Sequence, residues 1–277
     1  VGEGLLPEKR DGLTFGEVYD KLRQVAAATG VRAHERKVAL VSDLIARSGG
    51  IEARYILRIL QGRLRLGVGD ATIMDALSEA AVGDHSLRPE IERAYSLCSD
   101  LGYVGRELLT AGPKALERIG PQVGKPIMVA LAERLPSPQE IVRKLGRVEA
   151  EPKYDGLRLQ LHKDDGRVRF FTRRLEDVTG MFPELAKAAL GQLKTERAIV
   201  DGEAVVYNPE TGEYLPFQVT VRRKRKYGIE EMGTRYPLRY FAFDLLYEDG
   251  HDLTDKPLLE RRRRLGEILQ WRSDDPI

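Results

Sequence analysis

Apolar residues recur every three or four positions up to about residue 120, and every second position through much of the remainder. That change of period predicts a helical first half and a strand-rich second half. Thr14-Phe15-Gly16-Glu17 has the form of a capping box, ahead of a helix with Val18, Leu22 and Val25 on one face. A second helix carries Val38, Val41 and Ile45 and ends at Gly49-Gly50. A third is expected to bury Ile51, Tyr55, Ile56, Ile59 and Leu60 and to close at Gly62. Asp70 is placed to cap a helix through Ile73, Leu77 and Ala81. Pro89 opens another through Ile91, Tyr95 and Cys98, with its stop at Gly102.

Residues 120–126 are dense in glycine and proline and mark an expected domain boundary near 122. Beyond them Ser137-Pro138-Gln139-Glu140 caps one short helix. Leu157, Leu159 and Leu161 alternate with Arg158, Gln160 and His162, and a turn at 164–167 leads into 168–173, forming a hairpin. Further strands fit 198–207 and 236–247, and helices fit 183–193 and 257–269. The expected fold class is α+β and multidomain: an all-helical domain over 1–122, then a domain of mainly antiparallel sheet over 123–277.

Composition narrows the function. With 42% hydrophobic residues the chain can fill two cores, and no stretch approaches the roughly 20 apolar residues of a membrane span. A single cysteine excludes a disulfide scaffold and a multi-cysteine zinc site, and fits a reducing cytoplasm. Forty-five basic against 43 acidic residues leave +2, so a polyanion site has to be a local patch. Asn208 is the only asparagine, and dense charge of both signs leans towards a thermophilic source. The chain opens at Val1 without Met, signal or transit segment, and stops after Asp274-Asp275-Pro276-Ile277, so it is expected to be an interior piece.

Four segments of the second half carry chemistry. In Glu151-Pro152-Lys153-Tyr154-Asp155-Gly156-Leu157-Arg158 a lysine next to a glycine turn can present its amine into a cleft. As a nucleophile it must be neutral, which burial or nearby cations favour. The plain alternative is a lysine entering an Asp-Gly hairpin. Arg173 ends the next strand on the same sheet edge. Glu203 interrupts the apolar run 198–206, where a carboxylate costs energy unless it meets a ligand, metal or cation. Phe243 and Asp244 lie on opposite faces of a further strand. Singly, each also reads as a surface charge, an edge carboxylate or core.

Taken in order, Lys153-Tyr154-Asp155-Gly156 with Arg158, Arg173, Asp201-Gly202-Glu203 and Phe243-Asp244 resemble the covalent nucleotidyltransferase superfamily. The segment 61–70 resembles the minor-groove-binding part of the DNA-binding domain of ATP-dependent DNA ligases, and 124–132 resembles the start of their adenylation domain. The match is to the archaeal and eukaryotic replicative type and covers essentially the whole chain. It implies a helical DNA-binding domain followed by an adenylation domain. It also implies sealing of nicked duplex DNA with ATP and Mg²⁺ through AMP carried on Lys153. By the same resemblance Glu151 helps read the adenine edge, and Arg158 and Arg173 hold phosphates or ribose. Glu203 contacts ribose and helps place the metal, and Phe243 stacks on adenine. A monomer in the cytoplasm, at the nucleoid, and a sliding-clamp partner are implied by the resemblance alone.

The family's Ser-Arg-Asn reads Thr172-Arg173-Arg174 here, so its third position departs. Its later Glu-Gly and Lys-x-Lys strands and its OB-fold domain are not found before Ile277, nor the first part of the DNA-binding domain before Val1. The chain is therefore expected to be an incomplete catalyst. For DNA, Arg63 and Arg65 supply charge while Gly67 and Gly69 let backbone N–H groups approach phosphate. The run Arg222-Arg223-Lys224-Arg225-Lys226-Tyr227 is either a solvated edge or a DNA-facing loop. Arg261 to Arg264 fit a solvated helix with ion pairs. The competing readings are another lysyl-nucleotidyl enzyme, such as an RNA ligase or a capping guanylyltransferase, and a DNA-binding module without catalysis. The helical first half argues against the former. The cysteine count disfavours an NAD-dependent ligase.

Overall fold

In the computed structural model, which describes residues 12–130, 132–225, 227–270 and 276–277, the mid-chain change of period becomes a change from helices to sheet. Val1, Lys226 and Asp274-Asp275, named above, and residue 131 of the segment 124–132 lie outside the described residues. The chain divides at Thr72/Ile73 into two compact units.

The first unit holds α1 (Phe15–Ala27), α2 (Ala33–Arg47) and α3 (Gly50–Leu60). The capping box forms as its sequence requires: Thr14 Oγ1 accepts from Glu17 N–H at 3.2 Å, and Glu17 accepts Thr14 N–H at 2.8 Å. Ion pairs Lys21–Asp43 (2.6 Å) and Arg47–Glu17 (2.9 Å) join α1 to α2. Val18, Leu22, Val25, Val41 and Ile45 are half-buried as expected, whereas Val38 is exposed. The third helix corrects the sequence reading more sharply. Ile56 is buried, but Ile51, Tyr55, Ile59 and Leu60 are exposed. α3 carries apolar residues on more than one face, and only the stripe of Ala53 and Ile56, on the helix packed against α2, is covered.

The second unit opens with α4 (Asp70–Val82), α5 (Arg88–Cys98), α6 (Leu101–Ala111) and a 3-10 turn at Pro113–Arg118. They enclose a core of Met74, Ile91, Ala94, Cys98, Val104, Leu108, Leu116 and Ile119. α5 stops at Ser99, in the left-handed region at φ 53°, and not at Gly102. Asp100 then caps α6 by accepting Tyr103 N–H at 2.8 Å, which places Gly102 inside the new helix. α7 (Pro138–Leu145) starts where Ser137 accepts Glu140 N–H at 3.2 Å.

Strands β1 (Leu157–Asp164), β2 (Arg167–Thr172), β3 (Arg197–Val206), β4 (Leu238–Glu248) and β5 (His251–Asp252) form one antiparallel sheet in the order β2-β1-β3-β4-β5. Helices α8 (Pro183–Gln192), α9 (Phe217–Thr220) and α10 (Ile229–Arg235) fill the connections, and α11 (Leu258–Ile268) follows β5. Leu159, Leu161, Phe170, Val200, Ala204, Tyr240 and Leu245 face one side, where Leu185, Ala189, Leu265 and Ile268 of α8 and α11 complete the main core. This helix–sheet antiparallel arrangement is the α+β class expected.

The polar positions of β1 are buried too, because the segment around 124–127 lies against them. Ile127 N–H donates to Gln160 Oε1 at 2.7 Å while Gln160 Nε2 donates to Ile127 C=O at 3.2 Å. Gly124 N–H donates to His162 Nδ1 at 2.9 Å. Leu97 of α5, Ile127 and Ile199 pack together beside this contact.

Candidate active site

The register brings the chemistry-bearing residues together. Arg158 faces Glu203 across β1–β3, Gln160 faces Asp201, and Asp201 faces Asp244 across β3–β4. The β3–β4 register shifts at Ile199/Val200 and again at Asp201/Gly202. Two glycines make the closeness possible. A Cβ on Gly156 would lie 2.3 Å from Ala204 O, and one on Gly202 would lie 2.3 Å from the Tyr240 ring and 2.6 Å from Phe241 O. Tyr240 is held in turn by donating to Leu159 C=O at 2.8 Å.

Over this end lies a cavity of about 790 Å³, lined among others by Glu151, Lys153, Arg158, Arg173, Glu203 and Phe243. All six residues expected for the nucleotide thus border one space. Lys153 is exposed at the mouth, and no ion pair holds it among the described residues. Glu203 Oε1 accepts Gly156 N–H at 3.0 Å, which ties the lysine's turn to β3. Burial raises the Glu203 carboxyl above its ordinary range, against the opposing pull of that N–H, Arg158 and Lys153. Arg158 grips Asp201 through Nη2 at 2.6 Å and Nε at 3.2 Å, and its guanidinium lies 5.6 Å from the Phe243 ring centroid. Asp201 is almost wholly buried, which pushes its pKa up, while Arg158 pulls it down.

Sequence reasoning missed several neighbours. Arg262 of α11 pairs with Glu151 and, at 3.2 Å, with Glu149. Arg261 pairs with Asp244 at 2.7 Å and Arg264 with Glu248 at 3.2 Å, so of the four-arginine run Arg263 alone is largely solvated. Tyr154 stacks on Phe241 with centroids 3.8 Å apart, which fixes the residue after the lysine. Lys224 and Thr172 also line the cavity. Arg223 is fully buried, paired with Glu184 and lying over the Phe182 ring, which corrects the picture of 222–227 as a uniformly solvated run. A buried arginine inside a basic run leaves no signal in hydropathy; the apolar Phe182-Pro183 opening α8 gives no hint either.

In the first unit Arg63, Arg65, Gly67 and Gly69 lie in the exposed loop between α3 and α4. Arg65 and Gly67 have φ of 53° and 70°, and neither Gly67 nor Gly69 has a neighbour within 4 Å of a built Cβ. These glycines are free of internal packing.

Cations, a carboxylate and an aromatic ring around one lysine form a site suited to an anionic, ring-bearing ligand, at the end of an antiparallel sheet. The family profile described as ATP dependent DNA ligase domain matches residues 129–276, and that described as DNA ligase N terminus matches 3–78. The chain belongs to the ATP-dependent DNA ligase family. A probable DNA ligase of Dictyoglomus turgidum is 50% identical over 257 residues, covering 93% of this chain and 44% of its own length. A DNA ligase of Aeropyrum pernix is 48% identical over 272 residues, covering 96% and 45%. The chain therefore spans less than half the length of these relatives. A solved structure named Pmar-Lig_Pre matches 96% of this chain and 51% of its own at TM-score 0.50 and 13% identity, a likeness of fold. Among the described residues no helix is long and apolar enough to cross a membrane.

Proposed function

We propose that the protein seals nicks in duplex DNA with ATP, with residues 123–277 serving the nucleotide and 1–122 the DNA. The observation that carries this reading is the convergence of Glu151, Lys153, Arg158, Arg173, Glu203 and Phe243, far apart in sequence, around one cavity. Lys153 Nζ, once deprotonated, attacks the α-phosphorus of ATP. The new P–N bond replaces the P–O bond to pyrophosphate, which leaves, and the activation is stored on the lysine. The 5′-phosphate of the nick then displaces the lysine from AMP, and the 3′-hydroxyl displaces AMP to close the strand. Arg158 and Arg173 supply guanidinium forks for phosphate or ribose. Phe243 offers a face to the base and Glu151 its carboxylate to the adenine edge.

Among the described residues no group of three His, Cys, Asp or Glu side chains could hold a metal ion. Glu203 beside Lys153 instead fits Mg²⁺, which takes few protein ligands and fills its shell with phosphate oxygens and water. Bound there, the ion would neutralise phosphate charge. The setting is the cytoplasm, at the nucleoid, with the protein acting as a monomer and docking to a sliding clamp.

The test is self-labelling of the full-length protein with α-labelled ATP and Mg²⁺. The expected product is protein-bound label that resists alkali, is released by acid as a phosphoramidate must be, and is lost in Lys153→Ala. Label from GTP or NAD in place of ATP, or label persisting in Lys153→Ala, overturns the reading.

A further inference from the structure

The segment 217–236 has two sides. Phe217 and Lys224 border the lysine cavity, whereas Arg222, Arg225, Tyr227, Arg235 and Tyr236 surround a separate polar cavity of about 300 Å³. The three arginines are exposed, and none makes an ion pair within 4 Å among the described residues. They contrast with Arg158, Arg223, Lys224, Arg261 and Arg262, each of which pairs with a carboxylate. Arg222 Nη1 donates to Tyr236 Oη at 3.5 Å, and Arg235 lies 5.4 Å from the same ring centroid. Glu231 is the carboxylate in the lining, so the rim is cationic on balance. The phenol of Tyr236 registers that field: the Arg222 hydrogen bond, with Arg235 and Arg225 behind it, lowers its pKa.

Arg223, between the two exposed arginines, is buried against Glu184 and Phe182 and donates to Ile229 C=O at 3.4 Å. That anchors the turn and points its neighbours outward. Tyr227, 86% exposed, stands at the edge as a stacking surface.

We propose that Arg222, Arg225 and Arg235 form a second phosphate-binding site that takes backbone phosphates of the DNA, holding the strand beside the cavity where Lys153 reacts. This rests on the ligase reading above. Three unneutralised guanidiniums around a polar hollow suit phosphodiester oxygens, and one short segment shared with the lysine cavity couples the two positions.

The experiment compares full-length protein with its Arg222→Ala/Arg225→Ala/Arg235→Ala variant by nicked-duplex affinity across salt concentrations, with self-labelling by ATP measured in parallel. Each arginine that meets a phosphate contributes about 0.9 to the slope of log affinity against log salt, so the variant should be shallower by up to about 2.7. Between 50 and 200 mM salt the unaltered protein should then lose roughly 40-fold more affinity than the variant. Self-labelling should be unchanged. Arg222→Lys/Arg225→Lys/Arg235→Lys should keep most of the slope, and serves with Arg225→Ala alone should the Arg222→Ala/Arg225→Ala/Arg235→Ala protein fail to fold. An unchanged salt slope overturns the proposal. So does displacement of the arginines' effect onto inorganic phosphate binding alone, with DNA affinity untouched. Failure of self-labelling in unaltered protein would instead strike the ligase reading and leave the salt slope to speak for the site.

Discussion

Replacing Arg158 by methionine keeps a long side chain but removes the guanidinium that faces Asp201. The carboxylate then retains its contact with Gly202 N–H at 3.1 Å and loses three contacts of 2.6 to 3.2 Å. Stripping one partner from a fully buried pair costs about 3–5 kcal/mol. Asp201 is 4% exposed but Arg158 is 34% exposed, so water enters part of the gap. About 2–3 kcal/mol is therefore expected, or roughly 4–12 °C in Tm for a unit of this size. The pH dependence follows in sign. Burial already raises Asp201 above its ordinary value of 3.8, and removing Arg158 raises it further. The folded state then holds a proton that the unfolded state has released, so the penalty is full above the raised folded pKa and fades as pH falls through it. Urea or thermal unfolding without nucleotide should show the variant weakest at pH 7 and closer to the unaltered protein at pH 5. Adding Asp201→Asn should recover part of the loss, since it removes the stranded charge. Equal stability at pH 7, or a deficit that widens on acidification, would refute the account.

Two further expectations concern stability. Gly202→Ala should lower Tm far more than Gly69→Ala, because its Cβ meets the Tyr240 ring and Phe241 O while Gly69 has open space; comparable melting shifts would contradict the close approach. His162, buried under the 124–127 segment, has its pKa depressed from 6.5 to about 3, chiefly by desolvation. The unfolded chain therefore takes up a proton first, and stability should fall by up to about 1.4 kcal/mol per pH unit between pH 6.5 and 3. His162→Gln should flatten that part of the urea midpoint profile, and an unaltered profile would remove His162 as its source.

Much of the site was legible because it follows from period and order. Leu157, Leu159 and Leu161 set the face of β1, which sends Arg158 to the other side, and antiparallel pairing then lays it opposite Glu203. What escaped reading depends on contacts between segments distant in sequence. Gln160 and His162 look like solvent-facing positions until residues 124–127 cover them. The alternation of β1 is the same in both cases, so no local pattern could tell. Arg223 and Arg262 sit inside basic runs whose composition says surface, yet Glu184 and Glu151 lie across the chain to receive them. α3 errs in the other direction: its apolar residues promised burial, but a helix covers only the stripe its neighbour touches.

The contact between Gln160 and Ile127 has a consequence for how the second unit comes apart. One side-chain amide serves both main-chain groups of a residue outside any strand, as a neighbouring strand would. The helices before it and the sheet after it are thus spliced through a peptide-like joint. A joint of that kind links elements that share no ladder, because parting them strands a buried amide. Cooperativity across this junction then draws on the Gln160 amide together with the Gly124–His162 hydrogen bond and the packing of Leu97, Ile127 and Ile199.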